Sequence, residues 1–320
     1  MKFYFIVALF ALGLFISTPA QAANDWNLTF VGDIMLDRNV RTTIQARGFE
    51  SLVAPIKSEL QGDLVIANLE GPFTNSTKHA VSGGSLSFTF EPYLAKKLRA
   101  AGFTTVSLAN NHTLNQGVAG LTMTRTTLKK AGIQYFGDPS NRHGFGMVRN
   151  VNGTRIAFIG HHGLVSGLDI TLRDIKEAKS VADVIIVFAH EGTEYQLKFT
   201  SRQQQDYRRM IDAGATMVIG AHPHVVEPIE IYKGKFIAYS LGNFIFDQYF
   251  SADTQQGLLL HISGNGATPK KVTFVPVQSK RSAVSPASAV VRTSLLRRIS
   301  QNSVASSAIK KQLLSGVINL

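Results

Sequence analysis

The sequence predicts an α/β protein with a mixed β-sheet, or two packed sheets, and helices outside. Three observations carry that expectation. Short apolar runs alternate with helical patterns along most of the chain, as βαβ units do. Helical stretches close on a glycine just before the next apolar run, at Gly102 and Gly132. Paired apolar runs meet at Asn152-Gly153, Lys233-Gly234 and Gly264-Asn265-Gly266, which read as hairpins and bring antiparallel strands into the sheet.

In chain order, "NLTFVGDI" reads as a strand ending at Gly32-Asp33, and "GDLVIANLEG" as one ending at Asn68-Leu69-Glu70. "EPYLAKKLRAAG" has helical periodicity and leads into the strand "FTTVSLAN"; "GVAGLTMTRTTLKKAG" repeats the design before "IQYFG". The hairpin "GMVRNVNGTRIAFIG" follows, then a buried-strand pattern, "VADVIIVFAHEG", ending at His190. "SRQQQDYRRMIDAG" is a helix and "ATMVIGAHPH" a further strand. Two more pairs, "VVEPIEIYKGKFIAYSLGNFIF" and "GLLLHISGNGATPKKVTFVPVQ", complete the pattern. No internal repeat and no long linker interrupts it, so one domain is expected over residues 26–278.

The two ends differ from this body. Residues 1–22 hold one lysine, an apolar run from Phe3 to Ile16 and Ala20-Gln21-Ala22, a small-x-small pattern that fits signal-peptidase cleavage. The expected location is periplasmic, secreted or envelope-associated. An uncleaved anchor is the alternative, although the run is short for about 30 Å of hydrocarbon. Residues 279–320 are Ser-rich and contain seven basic residues (Lys280, Arg281, Arg292, Arg297, Arg298, Lys310, Lys311) and no acid, within a chain of net charge +12. This tail is expected to form one or two short amphipathic helices, its charge serving a solvated face, a polyanion or a membrane surface. Nucleic acid is not an expected partner, because the basic residues are not interleaved with aromatics.

Ligands of open α/β folds sit beyond the carboxyl ends of the strands. Asp33, Asn68, Glu70, Asn111, His112, His190, Glu191, His222 and His224 all stand at or just past such an end. Each alone has a plain structural explanation as a turn former, a helix-entry residue or the end of a buried strand. Five endings that all carry metal-capable groups point instead to a shared site. In extended backbone His222 and His224 project to one side, and Pro223 stiffens the turn between them. The chain has no cysteine, so any metal must be held by His, Asp, Glu or Asn. That donor set suits one or two divalent ions such as Mn, Fe or Zn, and the chemistry to expect is hydrolysis or transfer.

"FVGDIMLDR", "DLVIANLEGPFT", "SLANNHTLNQGVAGLTMTRTTLKKAGIQYFG", "HEGTEY" and "GAHPHVVEPIEIYKGKFIAYSLGNFIFDQ" together resemble the CapA (PgsA) family of poly-γ-glutamate capsule synthesis proteins, which have a calcineurin-like metallophosphoesterase fold. The resemblance covers about residues 26–278. It implies a four-layer α-β-β-α sandwich and a dinuclear metal site. By this resemblance Asp33 and His224 would hold a first metal, Glu70 would take the bridging position, and Asn111, His190 and His222 would hold a second. His112 would be the acid that assists the leaving group. Asn68, Glu191, Glu194, Tyr195 and Asn243 are expected to orient these ligands or contact substrate. Where ordinary metallophosphoesterases carry Asp-x-His, Asp33 is followed by Ile34-Met35, so one imidazole is missing. His161-His162 are expected on an exposed turn.

The implied function is synthesis, export or trimming of poly-γ-glutamate or another anionic envelope polymer by metal-dependent hydrolysis. The alternative is a non-catalytic metal- or polyanion-binding scaffold in an envelope synthesis complex.

Overall fold

The computed structural model describes residues 25–320 apart from 82, 83, 85 and 143–145. The leader expected at 1–22 lies outside the described residues, as does His143. The described chain opens with β1 (Asp25–Ile34), α1 (Arg38–Arg47), the one-turn α2 (Glu50–Val53), β2 (Leu64–Leu69), α3 (Leu94–Ala101), β3 (Thr105–Ser107), α4 (Gly117–Ala131) and β4 (Gln134–Phe136). A second run comprises β5 (Met147–Val151), β6 (Thr154–His162), α5 (Leu168–Ala178), β7 (Val184–His190), α6 (Ser201–Ala213), β8 (Met217–Ala221), β9 (Ile229–Tyr232) and β10 (Lys235–Ala238). The chain ends with β11 (Asn243–Ile245), β12 (Gln256–Asn265), β13 (Thr268–Lys280), β14 (Ala283–Pro286), α7 (Ala289–Asn302), α8 (Ser307–Ser315) and β15 (Val317–Asn319).

These strands form two mixed sheets. One runs β14-β13-β12-β1-β2-β3-β4, with β11 on β1 and β15 on β13; the other runs β5-β6-β7-β8-β10-β9. Trp26, Leu28 and Phe30 of β1 face Phe158, Ile186 and Met217 of the second sheet in one apolar core. Helices α1 to α4 cover the outer face of the first sheet through Val40, Leu52, Leu98 and Leu128. Helices α5 and α6 cover the second through Ile175, Tyr207 and Met210. The result is the four-layer α-β-β-α sandwich. It follows from strands that are apolar on both faces, which must be covered on both.

The expected strands and hairpins are present, and α3 and α4 close on Gly102 and Gly132. Helices α1 and α5 were not expected. The first buries only Val40 and Ile44, and the second buries Thr171 and Asp174 beside Ile175 and Ala178, so neither shows a clean apolar stripe. The tail does form two helices, but it does not hang off the domain. Leu295, Leu296, Ile299 and Leu313 enter the core between the sheets, and β14 and β15 extend the first sheet. Arg298 donates to Val226 O at 2.9 Å and Arg292 to Ser315 O at 2.8 Å, so two of the seven basic side chains hold the tail in place. Among the described residues no helix is long and apolar enough to cross a membrane.

Two close approaches bring the site together. A Cβ on Gly32 would lie 1.7 Å from Gly242 O, and one on Gly220 would lie 1.8 Å from Tyr239 O, so only glycine lets the backbones meet there. Behind the second sheet, Thr200 caps α6 with Gln203 in a reciprocal capping box. Gln203 Nε2 also donates to Glu227 Oε2 at 2.8 Å, while Glu227 Oε1 finds no partner.

Burial pushes the Glu227 carboxyl from 4.5 up to about 8. The folded chain then keeps a proton that the unfolded chain has released, so this group's stabilising contribution is lost as pH rises from about 4.5 to about 8. Urea unfolding at pH 5 and pH 8 should show that loss, on the order of 3 kcal/mol. Glu227→Gln, neutral throughout, should flatten that part of the slope; an unchanged slope would show that this carboxyl is not held protonated.

Candidate metal centre

Both sheets deliver side chains to one end of the sandwich. From the first come Asp33 at the end of β1, Asn68 and Glu70 at the end of β2, and Asn110 to His112 after β3. From the second come His190 at the end of β7, and His222 and His224 after β8. Asp33 is paired with Asn68 on one side and Asn243 on the other, and its N–H donates to Gly242 O at 3.1 Å.

A chain of amides sets the orientation of the first group. Asn110 Oδ1 accepts from His112 N at 3.1 Å and Thr113 N at 2.9 Å. Backbone N–H can only donate, so Asn110 Nδ2 must point the other way, to Asn68 Oδ1 at 2.9 Å and Leu69 O at 2.9 Å. Asn68 therefore accepts through its oxygen and turns its Nδ2 toward Asp33 Oδ1 (2.8 Å), His190 Nδ1 (3.2 Å) and Glu70 Oε2 (3.5 Å). Asn68 thus positions the cluster and presents no ligand oxygen to it. Asn111 Oδ1 lies 2.8 Å from His190 Nε2, near enough for one ion to take both atoms.

A second amide sets His224. Asn243 Nδ2 donates to Gln248 Oε1 and Thr254 O, each at 3.0 Å, which leaves its Oδ1 to accept from His224 Nδ1 at 2.9 Å. The lone pair of His224 is then on Nε2, 3.7 Å from Glu70 Oε1. An imidazole that donates through one nitrogen and offers the other is the usual arrangement of a metal-binding histidine. The same logic fixes His112. Asn115 Oδ1 accepts from Phe88 N at 2.8 Å, so His112 Nδ1, 3.0 Å away, is a donor and Nε2 faces Glu70 Oε1 at 3.8 Å.

The ligand atoms fall into two groups, Asp33 with Glu70 and His190, and Glu194 with His222 and His224; within each group they lie within 4.8 Å of one another. Glu70 Oε1 and His222 Nδ1 are buried without a hydrogen-bond partner. Buried polar atoms are rarely left so, and two at one point mark a place for a cation. Nitrogen and oxygen donors without thiolate suit a divalent ion.

Electrostatics agree. Burial pushes Glu70 well up, helped by the Asp33 charge, and pushes His190 well down, helped by His222. Burial also lowers His112 and His222 to about 4. For His224 burial again opposes the charge, but Glu70 and Asp33 outweigh it and raise the ring to about 9. The carboxylates draw positive charge into the site.

Several expected residues stand differently from the expectation. Glu191 does not reach the cluster: His190 and Glu191 alternate across the strand, and the Glu191 carboxylate faces His161 Nε2 at 3.8 Å and Arg202 Nε at 3.9 Å. Glu194 and Tyr195 serve the His222-His224 turn, because Tyr195 N donates to Pro223 O at 2.8 Å and its ring stacks on His224. The resemblance divides His222 and His224 between two ions, whereas here both group with Glu194. His161 and His162 are buried, and the His162 ring lies 6.0 Å from His190. His162 Nδ1 donates to Pro139 O, and Nε2 has no partner. Strand alternation past "RIAFIG" was the available signal for it. Asn110 was missed as the start of the amide chain.

Two packed mixed sheets, helices on both outer faces and a cluster of imidazoles, carboxylates and amides at the strand ends define a protein of the metallophosphoesterase-like fold class. The model of the family described as bacterial capsule synthesis protein PGA_cap matches residues 27–248, and the chain belongs to that family. It is 30% identical over 299 residues to the PGA biosynthesis protein CapA of Bacillus subtilis (strain 168), a match covering 86% of this chain and 78% of that protein. It is 31% identical over 276 residues to the capsule biosynthesis protein CapA of Bacillus anthracis, covering 78% of this chain and 67% of that protein. Among solved structures, TT1561 of Thermus thermophilus is similar at 9% identity, covering 76% of this chain and 99% of that one, with a TM-score of 0.42, too low for any argument to rest on. The family match contains every candidate ligand.

Elemental analysis of the purified protein should find bound divalent metal, with less in Asp33→Ala and His224→Ala. Asn243→Ala, which removes only the acceptor behind His224, should weaken metal affinity about 10- to 100-fold. Unchanged metal content in both ligand variants would sink the site assignment.

Proposed function

We propose that this chain is an envelope-located, metal-dependent hydrolase that trims or releases an anionic polymer of the poly-γ-glutamate kind during capsule synthesis. The observation that carries the reading is the convergence of Asp33, Glu70, Asn111, His190, His222 and His224, with His112 beside them, on a cavity of about 260 Å³ at the strand ends. The printed names of the two CapA relatives supply the polymer, and the apolar run before Ala20-Gln21-Ala22 supports the location. Mn, Fe and Zn are the ions that the donor set favours. A divalent ion held there would polarise the scissile carbonyl or phosphoryl group and lower the pKa of a water.

The protein's own groups do the rest. Asn68 and Asn243 hold the ligands in place. His112 is braced against Phe88, with ring centroids 4.4 Å apart, and its Nδ1–H is tied to Asn115. Burial keeps it neutral at pH 7, so Nε2 is free to take up a proton and pass it to the leaving group. Lys280, Arg281, Arg297 and Lys311 are exposed on the tail and would hold an acidic chain as it reaches the site.

A second reading, a non-catalytic scaffold of a synthesis complex, is favoured by Met35. It is fully buried, and its sulfur accepts from Asp37 N at 3.0 Å, so the position contributes no imidazole.

Turnover of γ-glutamyl peptides and model phosphoesters by metal-loaded protein separates the two. His112→Ala should lower kcat about 10²- to 10⁴-fold with metal content retained. No turnover of either substrate class, together with salt-sensitive polymer binding that survives loss of the ligands, would establish the scaffold.

A further inference from the structure

Just beyond Asp33, at the start of α1, Arg38 adopts φ 52°, a left-handed conformation costly for an arginine and usually maintained where a site needs it. Asp37 maintains it. Its Oδ1 accepts from Arg38 N at 2.8 Å, while Oδ2 takes the N–H groups of Ala80 and Thr89 at 3.0 and 2.9 Å. The Arg38 side chain is only 9% exposed. Its guanidinium lies over Phe88 at 5.1 Å and Phe246 at 5.5 Å. Those two rings also carry the site histidines: Phe88 packs on His112, and Phe246 on His224 with centroids 4.7 Å apart. A pair of phenyl groups therefore sets one guanidinium next to the group that handles the proton and next to a candidate ligand.

Its donors are largely unspent. An arginine offers five N–H groups in a planar fork. Here Nη2 is bonded to Asp247, whose other oxygen accepts from Asn39 N at 3.0 Å, and the buried Nε has no partner. Arg38 lines the cavity at the strand ends together with His112, Glu194, Tyr195 and His224, and among the described residues no other lysine or arginine lines it.

We propose that Arg38 recognises an anionic group of the substrate, binding an oxyanion beside the metal centre and so selecting acidic chains. The inference rests on the reading of the site as a polymer hydrolase. An oxyanion here would be either a carboxylate or a phosphoryl oxygen, since both match the guanidinium fork. In a γ-linked glutamate chain every unit keeps its α-carboxylate free near the scissile amide, so one arginine at this place would read the substrate unit by unit. Asp247 positions the arginine, and the aromatic pair keeps water from its faces.

Equilibrium binding of three probes tests this: a γ-glutamyl oligomer, the same oligomer with its carboxylates esterified, and inorganic phosphate. The proteins are the metal-loaded wild type, Arg38→Gln, and Arg38→Gln/Asp247→Asn, which avoids leaving Asp247 buried and unpaired. Both variants should keep their metal and bind the acidic oligomer about ten-fold or more weakly. The esterified oligomer should bind weakly to all three proteins. Loss of phosphate binding instead of oligomer binding supports the oxyanion site and identifies the phosphoryl source. Folded variants that bind both anions as tightly as the wild type overturn the proposal, as does a wild type that binds neither. Arg38-dependent binding without turnover would refute the hydrolase and leave this inference standing; turnover of the oligomer with KM unchanged in the variants would do the reverse.

Discussion

The site depends on the orientation of one carboxamide. Asn68 must turn its nitrogen, not its oxygen, toward Asp33 and His190, and nothing in its immediate surroundings other than Asn110 decides this. Asn110 is fixed in turn by the backbone N–H groups of His112 and Thr113, which have no acceptor role to play. The polarity of a turn in the main chain is thereby handed through two side chains to a pair of carboxylates and an imidazole. Such chains are rigid because every member is satisfied only in one sense.

The second sheet contributes differently. His222 and His224 have φ of 98° and 58°, both left-handed, on either side of Pro223. Residues without glycine's freedom are held this way only where surrounding structure insists, and it does: His222 N reaches Asp33 Oδ2 at 3.3 Å, and Tyr195 N closes on Pro223 O. The turn is bent so that two rings meet the first sheet. Strain on one side and amide bonding on the other hold the two halves of the site against each other.

Much of this was legible in the chain. Strand ends could be read because an apolar run terminates abruptly at a polar residue, and five such endings named most of the groups that meet. Periodicity failed where burial is mixed, as in α1 and α5, whose inner faces include threonine and aspartate. It also failed in the tail, where residues such as Leu313 and Ile318 are single apolar side chains that find their core only in three dimensions. Spacing shows which residues stand at a strand end but not to which face they turn, hence Glu191 pointing away and His162 pointing in. The direction of an amide, and so the role of Asn110, leaves no trace in spacing at all.

Strand β1 lies between β2, its near neighbour in sequence, and β12, whose partner residues are far along the chain; Trp26 Nε1 donates to Gly266 O across 240 residues. The strand that carries Asp33 therefore has one open edge until almost the whole family domain exists. At translation rates of about 5–20 residues per second, that edge stays unpaired for roughly 10–50 seconds. A topology dominated by such distant pairing folds slowly and exposes apolar strand to other chains meanwhile, which makes β1 the element most in need of a chaperone. The same delay suits a polypeptide threaded through a translocation channel before it closes.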